Sequence, residues 1–465
     1  MPGSVRKSSF VGRGAELSAL ERRYASSRSE LVPVYGRRRV GKTELLTRLA
    51  SGRPTVYFTA SDKLRTPQIG GFMRAAAEWL GISSVAEAAP ATWEAAFRLV
   101  TGAAPRDRKL LLVLDEFQWA CRSSPDLPSV IQRLWDHDWQ HSGRVMLILC
   151  GSLIGFMERE VLGSRSPLYG RRTASIRLEP LGFREAALFF PQWSLEENAR
   201  AYFICGGIPA YLRRFDPSLS VVQNVTHEFF EIDSYFQSEP EFLLREELAE
   251  LKQAASILEA VALGRRSQGE IARAVGLSTS AAAPHLKNLV NLSYLEKTYP
   301  LSPKRAPRTA VVYRISDPML RFWFRFLGPH WSLLRRYPAD TAFERIVAPQ
   351  WDAYCGEAFE RLCREALPLL YEQEGISGRS QVGEYWDRQM QIDVVGLRGD
   401  DWVDLGECRW PARSSPTEAA RELSARAAQY PASGRTLLRR LFLRTKPRTP
   451  PPQVRVHDLP ALYGT

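Results

Sequence analysis

The stretch LVPVYGRRRVGKTELLTRLA, residues 31–50, restricts the fold of this chain more than any other. A short apolar run, Leu31, Val32, Val34 and Tyr35, reads as a buried strand that breaks at Gly36. Beyond the break, Leu45, Leu46 and Leu49 share one face of a helix. Between strand and helix lies G-x-x-x-x-G-K-T, a phosphate-binding loop in the context such a loop requires. Glycine lets main-chain N–H groups curl around an anion, and the helix N-terminus adds partial positive charge. The expected cofactor-binding set is Gly36, Arg37, Arg38, Arg39, Val40, Gly41, Lys42, Thr43 and Glu44. Lys42 is expected to reach the β- and γ-phosphates, and the Thr43 hydroxyl to face Mg²⁺. The plainer alternative is a glycine-rich turn before a helix.

The residues that such a loop needs as partners follow in order. The strand PTVYFTA (54–60) is followed by a long helical region, roughly 66 to 104, and then by KLLLVLDEFQW (109–119). That run describes a buried parallel strand presenting Asp115 and Glu116 at its C-terminal end, where open α/β sheets bind ligands. Asp115 is the expected Mg²⁺ ligand and Glu116 the expected base for an attacking water. The next strand, VMLILCGS (145–152), makes Ser152 a candidate γ-phosphate sensor, or simply part of a Gly-Ser turn. Arg171 and Arg172 precede a further strand. They are candidates to stabilise transition-state charge in cis or across a subunit boundary, or else ordinary solvated or capping arginines. His137 and His141 have helical spacing, but no third zinc ligand is evident, and they read as a solvated helix face.

Together FVGR-x-x-E-L, GRRRVGKT, LLLVLDEFQ, LILCGS, SPLYGRR and YFICGGIPAYL resemble the archaeal-type P-loop ATPases grouped with the AAA+/STAND signal-transduction NTPases. The resemblance covers about residues 8 to 215 and runs more loosely to the C-terminus. It implies an ASCE-type core using ATP and Mg²⁺, with Glu116 catalytic beside Asp115. It also implies that GGIP, including Gly207 and Pro209, closes over the adenine from a helical lid, and that Gly12 and Arg13 lie near the nucleotide. By composition alone GGIP is only a helix stop.

From about residue 256 the pattern changes to short helices with Ser267 and Ser278 as N-caps and Gly276 as a stop. Leu286, Leu289, Val290 and Leu292 give the following helix an apolar face, so the segment reads as a helix-turn-helix. A strand, a basic loop with Lys304, Arg305 and Arg308, and a second strand form a wing. Ser278, Thr279, Ser280, His285, Lys287 and Asn288 are candidates to face a major groove or phosphates. Winged helices also serve as protein-binding modules, and that alternative stays open. The aromatics of RISDPMLRFWFRFLGPHW (314–331) read as a packing bracket.

After an amphipathic helix containing Glu360, an α-β-β-β-α-β order with Asp393 on one strand and Glu407-x-Arg409 on the next resembles the PD-(D/E)XK nuclease superfamily. Asp393 and Glu407 are the implied carboxylates of a second Mg²⁺ site, with Glu360 in support. Arg409 occupies the lysine position and cannot act as a base, and Gln391 stands where an acid is implied, so a degenerate domain is the expectation.

Length, charge and cysteine usage set the outer limits. At 465 residues the chain exceeds one core. The expected division is an ATPase core (1–180), a helical lid (181–250), a winged helix (251–315), a helical connector (316–345) and a restriction-endonuclease-like α/β domain (346–465). A net charge of +12 points toward a polyanion such as duplex DNA. Six scattered cysteines and the lack of a long apolar run suggest a soluble cytoplasmic protein without a membrane partner; a homo-oligomer is compatible. The function expected is an ATP-hydrolysing switch acting on DNA. The rival readings are a non-hydrolysing ATP-bound DNA regulator and an ATP-licensed metal-dependent nuclease.

Overall fold

The computed structural model describes residues 10–248, 250–304, 310–411 and 415–465. Arg305 and Arg308 of the expected wing lie outside the described residues. The chain divides into two compact units, residues 1–181 with 208–210, and residues 182–207 with 211–465.

In the first unit, β1 (Glu30–Tyr35), β2 (Thr55–Thr59), β3 (Leu110–Asp115), β4 (Val145–Gly151) and β5 (Ile176–Arg177) form a parallel sheet of order β2-β3-β4-β1-β5. Every residue of β1, β3 and β4 is buried, which is why their sequences are continuous apolar runs rather than alternating ones. Because all strands point the same way, their C-terminal ends collect on one edge of the sheet. The region expected as one long helix is broken: a helix Arg65–Leu80 stops at Gly81 in the left-handed region (φ 70°), and another runs from Trp93 to Ala103. Phe72, Trp93 and Phe97 from these two helices pack ring against ring, with Phe72 and Phe97 centroids 5.1 Å apart.

The second unit contains the helix Leu195–Cys205, the helix-turn-helix, an aromatic helix and the C-terminal sheet. Ser267 caps the helix Gln268–Ala274 in a reciprocal box with Glu270, and Ser278 caps the helix Thr279–Asn291. Strands β6 (Leu295–Thr298) and β7 (Val312–Ile315) pair antiparallel as the wing. The helix Pro318–Phe326 buries Phe322, which meets Phe229, Phe326 and Tyr354 edge-on or tilted at 5.0–5.6 Å. The long helix Trp351–Gln373 precedes β8 (Ser380–Trp386), β9 (Gln391–Arg398) and β10 (Trp402–Arg409), an antiparallel meander. After the helix Pro416–Gln429, β11 (Thr436–Leu443) and β12 (Arg455–His457) add parallel to β10, giving the order β12-β11-β10-β9-β8. Arg440 of β11 is fully buried, bonded to Asp404 at 2.6 Å and to Glu374.

Phe322 fills a space shared by three aromatic neighbours, so Phe322→Ala is expected to destabilise the second unit by about 3–5 kcal/mol in urea unfolding.

Candidate nucleotide-binding site

The loop between β1 and the helix Lys42–Ala50 is shaped by its glycines. A Cβ at Gly36 would lie 2.2 Å from the Leu178 carbonyl oxygen, and Gly41 adopts φ 92°, which disfavours any other residue. Lys42 is 6% exposed, and its Nζ donates to the carbonyls of Gly36 and Arg37, both at 2.8 Å. Burial pushes its pKa down, an effect that Glu116 and Asp115 nearby oppose. Arg13 donates to the Val40 carbonyl at 3.1 Å and to the Glu179 carbonyl. It therefore grips the main chain of the loop from behind, with Gly12 before it also in the left-handed region. Pro209 falls within this unit, its Cγ 3.7 Å from where a Gly41 Cβ would stand, whereas Gly207 belongs to the second unit.

At the end of β3 the structure gathers the remaining residues. Thr43 Oγ1 donates to Asp115 Oδ2 at 3.1 Å, and the Tyr57 hydroxyl donates to the same oxygen at 2.7 Å. The other oxygen, Oδ1, accepts the Glu116 N–H at 2.9 Å. Burial, reinforced by the Asp115 charge, pushes the Tyr57 phenol up, so it stays a donor at any physiological pH. Glu116 sits in the left-handed region (φ 53°), an uncommon conformation that turns its side chain out of the strand direction. Its Oε2 accepts from Ser152 Oγ at 2.9 Å and from Gln118 Nε2, and Gln118 also donates to Ser152 Oγ at 3.2 Å. Lys42, Thr43, Asp115, Glu116 and Ser152 thus converge on the C-terminal edge of one sheet. Tyr57, in the middle of β2, and Gln118, in the first turn of the helix Phe117–Ser123, complete the set; no motif in the sequence singles them out.

Arg171 is elsewhere. Its guanidinium forms a two-pronged pair with Asp136 at 2.7 and 2.8 Å. Two residues on, Thr173 N–H bonds the Leu31 carbonyl near the start of β1. Arg171 and Arg172 line a cavity of about 650 Å³ with Ser29 and Gly143, residues that precede β1 and β4. That is the end of the sheet opposite the phosphate loop, so Arg171 does not meet the loop within its own chain. His137 and His141 are exposed.

In the second unit, Glu360, Glu384, Asp393 and Glu407 form a cluster threaded by arginines. Glu407 pairs with Arg409 and Arg426, each at 2.5 Å. Asp393 Oδ2 accepts the Cys408 N–H at 3.0 Å, and Arg364 donates to the Asp393 carbonyl at 2.6 Å. Glu384, on β8, holds Arg314 at 2.7 Å and was not distinguished by the sequence. A second Mg²⁺ on Asp393 and Glu407 does not fit this arrangement, because two guanidinium groups already fill the Glu407 carboxylate. Among the described residues no group of three or more His, Cys, Asp or Glu is placed to hold a metal ion. Burial, aided by the Asp393 charge, raises Glu360 to about 8 and Glu407 to about 7. On the recognition helix and its cap, Ser278, Thr279, Ser280, Lys287 and Asn288 are exposed, while His285 is partly covered and faces Glu250 at 3.6 Å. No described helix is long and apolar enough to cross a membrane.

Residues 10–215 match an ATPase domain found predominantly in Archaea, and residues 251–298 match the IclR helix-turn-helix domain. Residues 323–422 match a family of archaeal and bacterial proteins of unknown function. The chain is 31% identical over 405 residues to the uncharacterized protein MJECL04 of Methanocaldococcus jannaschii, covering 86% of this chain and 87% of that one. The solved Walker-type ATPase PABY2304 of Pyrococcus abyssi superposes with a TM-score of 0.51 at 18% identity, over 70% of this chain and 99% of that one. This likeness agrees with the α/β P-loop fold. The Aeropyrum pernix ORC2 protein superposes with a TM-score of 0.45 at 15% identity, over 73% and 96%.

Glu360 gives a pH signature. A carboxyl raised from 4.5 to about 8 on folding binds its proton more tightly in the folded state, so its contribution to stability is full below pH 4.5 and is lost as pH rises through 8. Glu360→Gln, which mimics the protonated acid, is expected to melt higher than the parent at pH 9 and level with it near pH 4.5, in thermal scans across that range.

Proposed function

The chain belongs to the same family as the Methanocaldococcus jannaschii protein MJECL04, and we propose that it is an ATP-binding, ATP-hydrolysing switch that engages duplex DNA through its winged helix. The observation that carries this reading is the convergence of Lys42, Thr43, Asp115, Glu116 and Ser152 on one sheet edge.

The residues present fit Mg²⁺–ATP. The loop Gly36–Thr43 offers main-chain N–H groups at a helix N-terminus, and Thr43 and Asp115 already share a hydrogen bond where a hydroxyl and a carboxylate would hold the cation. Bound Mg²⁺ supplies charge neutralisation at the β- and γ-phosphate oxygens. Lys42 exchanges its two carbonyl partners for phosphate oxygens, whose negative charge opposes the downward push of burial on its pKa. Glu116 takes the proton of the attacking water, with Ser152 and Gln118 fixing its carboxylate. Arg13 keeps the loop in shape through the Val40 carbonyl, while Gly12 allows the turn that delivers it.

Arg171 has no role here in cis, since Asp136 holds it at the far end of the sheet. Pro209 begins the helix Pro209–Leu212, its Cγ 3.7 Å from where a Gly41 Cβ would stand, which supports a place for GGIP beside the nucleotide in this reading. DNA contact rests on the exposed polar start of the recognition helix, on Lys287 and on the net charge of +12. The C-terminal domain acts in this reading without metal-dependent cleavage, because its Glu407 carboxylate is neutralised by arginine.

ATP turnover with and without duplex DNA at two salt concentrations tests the proposal. Lys42→Ala is expected to lose nucleotide binding. Glu116→Gln is expected to bind ATP but turn it over about 10²–10⁴-fold more slowly; turnover at the parent rate would remove Glu116 as the base. Lys287→Ala is expected to weaken DNA binding evenly across sequences and to reduce the log–log salt slope by about 1.

A further inference from the structure

Within the second unit, a cavity of about 460 Å³ opens between the end of the helix Leu251–Ala262, β7, the aromatic helix Pro318–Phe326 and the long helix Trp351–Gln373. That size is typical of small-molecule sites. Six guanidinium groups line it, those of Arg266, Arg314, Arg321, Arg325, Arg361 and Arg364, against the carboxyls of Glu357 and Glu360. Several arginines spend their N–H groups on main-chain oxygens, which neutralise nothing. Arg361 donates to the Ile315 carbonyl at 2.7 Å, Arg364 to the Asp393 carbonyl at 2.6 Å, and Arg321 to the Phe203 carbonyl at 3.3 Å. Arg325 meets Glu357 at 3.1 Å, and Glu384 and Glu296 behind the wall meet Arg314 and Arg361. Arg364 also lies 3.8 Å from Glu360 and 3.9 Å from Glu384, and it feels the charge of Asp393. With these five carboxylates all counted as charged, the six guanidinium groups still outnumber them among the described residues. Among the described residues, the Nε atoms of Arg314 and Arg321 are shut off from solvent and have no hydrogen-bond partner. A buried donor without an acceptor costs roughly 1–3 kcal/mol, so the two together call for an acceptor that enters the cavity.

Planar guanidinium forks match phosphate oxygens two at a time, and an excess of positive charge in a concave site favours a multiply charged ligand. We propose that this cavity binds a diffusible phosphorylated small molecule, carrying at least two phosphate charges, through Arg314, Arg321 and Arg266. The site is separate from the phosphate loop at Lys42, and its walls come from both the winged helix and the C-terminal domain. Occupancy therefore ties those two modules together. Nucleic-acid phosphates share the chemistry, but the volume suits a small ligand.

The test uses the full chain carrying Lys42→Ala, so that the phosphate loop is silent, with inorganic pyrophosphate as the probe in calorimetry with EDTA present. One site per chain is expected, together with a raised melting temperature. Arg314→Gln and Arg266→Gln, each added singly, are expected to weaken binding at least tenfold, while the exposed Arg421→Gln leaves it unchanged. Should Arg314→Gln fold poorly, Arg266→Gln, on the half-buried turn after Gly264, decides alone. Absence of pyrophosphate binding, or affinity indifferent to Arg266→Gln, overturns the proposal. So does displacement of pyrophosphate by short duplex DNA, which would make the cavity a backbone site. Because Lys42 is absent throughout, none of these results bears on ATP turnover.

Discussion

The carboxylate of Asp115, buried at the end of a central strand, is what the first unit is arranged around. A buried charge is tolerable only if its oxygens are fully hydrogen-bonded. Asp115 meets that demand with Thr43, Tyr57 and the Glu116 N–H, contributed by the phosphate-loop helix, by β2 and by the cap of the helix that follows β3. Three segments are thereby tied at one point on the sheet edge. These donors are a hydroxyl, a phenol and an amide, none of them positively charged, so no guanidinium or ammonium is hydrogen-bonded to the carboxylate.

The second unit shows the opposite outcome from similar residues. Glu407 also sits near the end of a buried strand, but its oxygens meet Arg409 and Arg426. Guanidinium groups offset the charge and pair with both carboxylate oxygens, which a metal ion would have to share or take over. Arginine is used in the same way on the other side of that sheet, where Arg440 is wholly buried between Asp404 and Glu374, with Tyr371 donating to Asp404 at 2.7 Å. In a chain this rich in arginine, the neighbours of a carboxylate decide whether it is a ligand or a structural counter-ion. The cavity lined by Arg314 and Arg321 is where that supply of positive charge exceeds the carboxylates around it.

Features encoded in contiguous residues were legible in advance. The strand, loop and helix of residues 31–50 are read from one window, as is the apolar run ending in Asp115–Glu116. The serine caps of the helix-turn-helix and the order of the C-terminal strands are equally local. The long helical region breaks at Gly81 and again at residues 88–92 around Pro90, where Thr92 caps the next helix; these stops stand among alanine-rich helix formers that carry the helical pattern past them.

By itself the sequence determined the phosphate loop, its acidic partners and the helix-turn-helix, since glycine conformation, apolar periodicity and capping act over a few residues. Only tertiary structure decided which side chains face one another. Asp136 took Arg171 from 35 positions away and to the wrong end of the sheet for a nucleotide, while Tyr57 and Gln118 were brought to Asp115 and Glu116. Arg409 and Arg426 closed the carboxylate that spacing alone had offered to a metal ion. Electrostatic pairing depends on distance in space, and spacing along the chain constrains that distance only within a helix turn or across paired strands.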